Sequence, residues 1–305
     1  MNPQFSWDLI ADVQQMLSYP FMVNAVRAGG IVAGVAGVVG WMMVLRRESF
    51  AGHTLAVIGF PGAAAAAWLG VATGYGYFAA CVGAAVAIAL LSPPTRPGGL
   101  GGFAEESAVI GTVQAFALAT GLLFVSLYHG FLSDLTNLLF GTIAGVSSRQ
   151  VALVLVAAVV CLGLLAVIGR PLLFTSIDPV AAAAHGVPTQ LVATVFLVVL
   201  GIAAAAASQV TGSLLVFALL VAPPAAAQQL TARPGLGIAL SALIAVAVTW
   251  IGMGCAFFSP YPIGFWVSSF GYGSYLLAVG YRAGLERARR RAGPRQAQVS
   301  QMATT

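Results

Sequence analysis

The sequence has no lysine: all 13 of its basic residues are arginine. A P-loop needs a lysine to reach the nucleotide phosphates, so this polypeptide carries no standard ATP-hydrolysing site of its own. Charge of either sign is scarce, at 7% of 305 residues, where a soluble domain has about 25%. Cysteine is limited to Cys81, Cys161 and Cys255, each inside an apolar run and none in CxxC spacing. That excludes a disulfide framework and a thiolate metal site and makes the three small core residues. HExxH, GxSxG and paired acidic motifs are missing, which removes the usual routes to an intramembrane enzyme; Ser208 and Ser213 read as packing hydroxyls. The first 19 residues have Asp8 and Asp12, no arginine and no compact apolar core, so no secretory signal is expected there.

What is abundant is apolar sequence: 60% of residues are hydrophobic and the mean hydropathy is +0.96. This composition is that of an integral membrane protein, and a spanning helix needs about 20 apolar residues. Nine such runs are present: 21–45, 53–72, 75–91, 107–127, 149–169, 190–207, 211–229, 237–258 and 263–281. The alternative is eight spans, with the second or third run re-entrant. The expected fold class is an all-α polytopic bundle, because lipid offers backbone groups no partner outside a helix or closed barrel and the runs lack barrel alternation. Alternating nine spans puts Arg46, Arg47, Arg96, Arg170, Arg233 and a C-terminal cluster of six arginines on one side, with Arg149 opposite. The positive-inside rule then makes the C-terminus cytoplasmic and residues 1–19 extracytoplasmic. The net charge of +5 is thus a topological signal and not a nucleic-acid footprint. Residues 20–282 form the membrane domain, and the Arg-rich tail 283–305 is expected to be disordered.

Glycine, at 36 residues, suits close helix packing, and GxxxG spacing occurs at Gly30/Gly34, Gly70/Gly74 and Gly141/Gly145. Two runs look interrupted, one by Gly59, Pro61 and Gly62, the other by Pro223 and Pro224. Backbone freed at membrane depth either lines a pathway or marks a packing kink. Three connections stand out. SPPTRPGGLGGFAEE, Ser92–Glu106, ends in two acids that suit a helix start. Residues 128–148 include a helix-like stretch around Asp134 to Phe140. TSIDPVAAAAHGVPT, Thr175–Thr189, reads as a brief helix capped by Ser176 or Asp178, with Pro179 in its first turn and Gly186 and Pro188 ending it.

These blocks resemble the membrane permease subunit of zinc/manganese/iron-type ABC importers. The likeness runs from about Phe21 to Tyr281 and rests on VLRRESFAGHTLAVIGFPGAA (Val44–Ala64), EESAVIG (Glu105–Gly111), LTNLLFGTIAGVS (Leu135–Ser147), RPLLFTSIDPVAAAAHGVP (Arg170–Pro188) and TGSLLVFALLVAPPAAAQ (Thr211–Gln228), in the family's order. The resemblance implies a non-catalytic permease of the bacterial cytoplasmic membrane that binds no cofactor. ATP would be used by a separate ATPase chain, the ion would be delivered by an extracytoplasmic metal-binding protein, and the permease would pair with itself or a paralogue. It further implies that Asp178, Pro179, Ala184 and Gly186, with His185 beside them, form a coupling helix at 176–188 that docks on the ATPase. In the second span the family has an Asp and, four residues on, a His; here those positions hold His53 and Val57. The pair is lost, leaving His53 as the one candidate metal contact, by an imidazole that suits zinc better than calcium or magnesium. The alternative is an interfacial histidine bonded to a neighbour. His129 and His185 do not complete a site.

Overall fold

The computed structural model describes residues 8–92, 102–128, 146–213 and 216–302. Arg96, His129, the Asp134–Phe140 stretch and the Gly141/Gly145 pair lie outside them. Among the described residues every regular element is a helix: α1 Leu9–Leu17, α2 Pro20–Leu45, α3 Ser49–Trp68, α4 Thr73–Leu91, α5 Gly102–Leu127, α6 Ser148–Ile177, α7 Pro179–Ala184, α8 Thr189–Thr211, α9 Val216–Leu230, α10 Pro234–Phe258 and α11 Ile263–Met302. Seven of them, α2 to α6, α8 and α10, are long and apolar enough to cross a membrane. The run expected at 211–229 is shorter than a full span, because α8 extends to Thr211 and α9 has only 15 residues. The last run opens α11, whose first half is diluted by Ser, Gly and Tyr.

The elements begin where local chemistry lets them. Asp8 caps α1 by accepting from the N–H groups of Ile10 and Ala11, at 3.1 and 3.4 Å. Proline opens α2, α7 and α10, where its missing N–H costs nothing. The acid of the first turn of α5 is Glu105, as the helix dipole favours. α2 and α8 form the centre. α2 packs on α6, α8, α9 and α10, and α8 packs on α2, α3, α4 and α6, while α5 lies outside α3 and α11 outside α9 and α10. Large apolar side chains such as Phe116, Leu122, Val159 and Val167 are exposed on α5 and α6, a surface that water would not tolerate and lipid does. The cysteines sit as expected in the interior: Cys81 and Cys161 are buried, Cys255 is partly buried, and all are free.

Two packing expectations are corrected. In the two described GxxxG pairs only one glycine each makes a close approach, Gly30 to Trp250 and Gly74 to Gln209, both at 3.0 Å from a would-be Cβ, while Gly34 and Gly70 have no neighbour within 4 Å, so the spacing marks half of each contact. Closer approaches are made at Gly37, whose would-be Cβ lies 2.6 Å from the Ala242 Cα, and at Gly40, Gly62 and Gly76. Nor are the proline-bearing helices interrupted. α3 runs through Pro61 and α9 through Pro223 and Pro224, because small neighbours make room for the rings. Pro61 packs on Gly121 of α5, and Pro224 with the Leu220 carbonyl packs on Gly40 of α2. That carbonyl is the one a non-proline residue at 224 would have bonded. The chain instead leaves helix at Gly212, where φ is +82°, a conformation that glycine adopts without cost.

α11 stays helical to Met302, through the stretch expected to be disordered. Arg, Ala and Gln dominate there, all good helix formers, and Arg282 pairs with Glu286 one turn on at 3.1 Å.

Contacts across the bundle show which helix ends share a side. Arg46 meets Thr175 and Ser176, Gln228 bonds the Trp41 carbonyl, and Arg282 bonds Gln229. Asn24 bonds the Val146 carbonyl and Gln150 bonds the Gln209 carbonyl at the other end. Arg46, Arg47, Arg170, Arg233 and Arg282 therefore gather at one end, as the alternating topology requires. Arg27, on the first turns of α2 and exposed, joins Arg149 at the opposite end.

Candidate functional site

α3 carries most of the residues singled out as pathway candidates, and the structure points them at different neighbours. His53 is half-buried, with its ring edge-on to Phe217 of α9 at 4.9 Å between centroids. Its Nδ1 is buried without a hydrogen-bond partner, so the interfacial alternative, a histidine bonded to a neighbour through that atom, is not what is observed. Val57 lies one turn further on. Gly59 faces Tyr77 of α4 and Ser208 of α8, whose Oγ is also buried without a partner. Pro61 faces α5, and Gly62 faces the Gly76 carbonyl of α4. His53 and the proline helix α9 are thus brought together, while Gly59, Pro61 and Gly62 serve packing contacts. Among the described residues no three His, Cys, Asp or Glu side chains come together to hold a metal ion. Polar links between spans do exist: Thr54 donates to Gln114 of α5 at 2.9 Å, and Gln150 Nε2 donates to the Gln209 carbonyl at 3.1 Å.

The second candidate element is the short helix α7. Asp178 caps it, accepting from the Ala181 N–H at 2.8 Å. Ser176 instead bonds back to the Leu172 carbonyl, which decides between the two candidate caps. Pro179 is the first helical residue, Ala182 is buried, and Ala184 ends the helix. The His185 ring lies 5.8 Å from the Phe174 ring, and its Nδ1 is 2.8 Å from the Ala181 carbonyl. Gly186 follows at φ +76°. The result is a single stiff turn, fixed at both ends, projecting Val180, Ala183 and Ala184 outward.

Sequence reasoning missed what holds this turn to the rest of the bundle. In the tight connection from α2 to α3, Arg46 Nε donates to Glu48 Oε1 at 2.7 Å, with side chains only 12% and 13% exposed. The same guanidinium reaches Ser176 Oγ at 3.4 Å and Thr175 Oγ1 at 3.5 Å, and its carbon lies 5.4 Å over the Phe196 ring of α8. Burial pushes the Glu48 carboxyl up to about 6, with the charge of Glu106 adding to the rise and Arg46 opposing it. Arg47 takes the left-handed conformation at φ +61°, a strained backbone for a side chain of that size. The signal was the adjacent opposite charges of RRE beside an apolar run, but the partners lie about 130 residues away in sequence.

With this geometry in view, the comparisons are specific. The ABC 3 transport family matches residues 18–279. The manganese transport system membrane protein MntC of Halalkalibacterium halodurans is 30% identical over 232 residues, 76% of this chain and 77% of that protein. The chelated iron transport system membrane protein YfeC of Yersinia pestis is 29% identical over 244 residues, 80% of each chain. In structure, the PsaBC complex of Streptococcus pneumoniae bound to a Fab contains a chain that superposes with a TM-score of 0.77 at 23% identity, covering 88% of this chain and 95% of that one. A match over nearly the whole membrane domain, in sequence and in fold, shows that the chain belongs to the ABC 3 transport family.

Proposed function

We propose that the chain is the membrane-spanning subunit of an ATP-driven importer for a divalent transition-metal ion, manganese or zinc. The observation that carries the reading is the family match together with a rigid, capped single-turn helix at α7. In the absence of any lysine, ATP hydrolysis falls to a separate ATPase, which docks on Asp178–Gly186. An extracytoplasmic binding protein delivers the ion, two permeases pair, as copies of this chain or with a paralogue, and the arginine-rich end faces the cytoplasm of a bacterial cell. Relatives named for manganese and chelated iron support a metal cargo. Selectivity belongs chiefly to the binding protein, because among the described residues the permease has one imidazole, His53, between α3 and α9, and no carboxylate joins it in a metal-binding cluster. That imidazole makes a passing contact and not a storage site, which suits an ion that must leave again.

The test is purification of the tagged chain from its host's membranes in mild detergent, followed by mass spectrometry. A lysine-containing P-loop ATPase in stoichiometric amount supports the reading. Recovery of the chain alone, under conditions that keep other ABC complexes intact, contradicts it.

A further inference from the structure

The Arg46 side chain is only 12% exposed, where that of its neighbour is open to solvent. Arg47 is exposed in the same turn and meets any topological need for positive charge at this end of the helix. Burying a guanidinium and a carboxylate is costly even when they are paired, so the Arg46–Glu48 pair is poorly explained as a source of stability. Its geometry is that of a clip. One planar group touches Glu48, the residue just before α3, then Thr175 and Ser176 at the end of α6, and the face of Phe196 on α8. Ser176 is two residues before Asp178, the cap of α7. The strained φ of Arg47 is what turns the chain sharply enough for Arg46 to point back under the bundle while Glu48 leads into the next helix.

We propose that Arg46 is the positioning residue that makes α7 and α3 move together. Displacement of α7 is carried through the Thr175–Ser176 step and the guanidinium to the first turn of α3, and so to His53 five residues beyond Glu48. Without the clip, α7 moves at the end of α6 and α3 does not follow. Lysine cannot replace it, because a single ammonium lacks the planar fork that reaches the carboxylate and both hydroxyls at once and lies flat on a ring. The inference rests on the proposed function, since it needs α7 to be the point where an ATPase acts.

The experiment uses the complete complex, permease with its co-purified ATPase and binding protein, reconstituted in liposomes. ATP hydrolysis and uptake of manganese(II) or zinc(II) are measured on the same preparation and expressed as ions moved per ATP. Two variants separate motion from folding: Arg46→Lys, and the double change Thr175→Val with Ser176→Ala, which leaves the Arg46–Glu48 pair intact. Both are expected to retain the ATPase at wild-type stoichiometry and to go on hydrolysing ATP, while ions moved per ATP fall about tenfold for Arg46→Lys and several-fold for the double variant. An unchanged ratio in both variants overturns the proposal. So does a proportional loss of hydrolysis and uptake, or loss of the ATPase, which would make Arg46 a support for docking or fold. A wild-type complex that neither holds an ATPase nor takes up metal defeats the proposed function itself, before any variant is compared.

Discussion

Gly62 and Gly76 set the distance between α3 and α4, since a Cβ on either would strike the other's carbonyl. Gly62→Ala is expected to lower stability by about 2 kcal/mol through overpacking. Gly34→Ala, with open space around the site, should be neutral or up to about 1 kcal/mol stabilising, because alanine is the better helix former. Thermal unfolding in detergent distinguishes the two. The sequence offers both glycines in the same kind of apolar run, and spacing alone picked Gly34 and passed over Gly62; which glycine meets a backbone depends on where the neighbouring helix crosses. Glu48 gives a pH signature. Its folded carboxyl titrates at about 6 against an ordinary 4.5, so the folded state holds the proton more tightly. That contribution favours the fold below about 4.5 and is lost as pH rises through about 6, amounting to about 2 kcal/mol. Glu48→Gln, which cannot ionise, should show none of that decline when melting is compared from pH 4.5 to 7; identical pH profiles would contradict the burial argument.

Among the elements, α7 is the one whose ends and cap were readable in advance. TSIDPVAAAAHGVPT contains its own cap, its own first-turn proline and its own terminating glycine, all local signals. Asp178→Ala removes the acceptor for the Ala181 N–H and should cost the helix about 1 kcal/mol, seen as faster amide hydrogen exchange over residues 180–186 with no change in α8. α9 shows the opposite. Pro223 and Pro224 suggested a broken helix, yet the break is at Gly212, because Gly40 of α2 leaves room for the Pro224 ring and the Leu220 carbonyl. Whether a proline breaks a helix in a membrane is decided by the helix packed against it. The Arg46 clip was illegible for a similar reason: Arg46 and Glu48 are neighbours in sequence, but nothing in their local run announces Thr175, Ser176 and Phe196.

At the scale of the whole molecule, apolar run length carried the reading, since lipid enforces it along the chain and hardly depends on tertiary contacts. The side-sharing of the arginines followed from the same alternation, and cross-bundle contacts such as Gln228 to Trp41 agree with it. The omission was Arg27, hidden in the first span and exposed near its start. Orientation is open to direct test: in a background with Cys81, Cys161 and Cys255 replaced, Arg233→Cys should react with an impermeant maleimide only from the cytoplasmic face and Arg149→Cys only from outside. The reverse pattern would invert the topology. The account as a whole stands on a division of labour between a lysine-free permease and a separate ATPase. The most direct measurement is metal uptake into liposomes containing this chain with and without its co-purifying ATPase, each with and without ATP. The account predicts uptake only when both the ATPase and ATP are present. Uptake by the chain alone, or uptake indifferent to ATP, would contradict it.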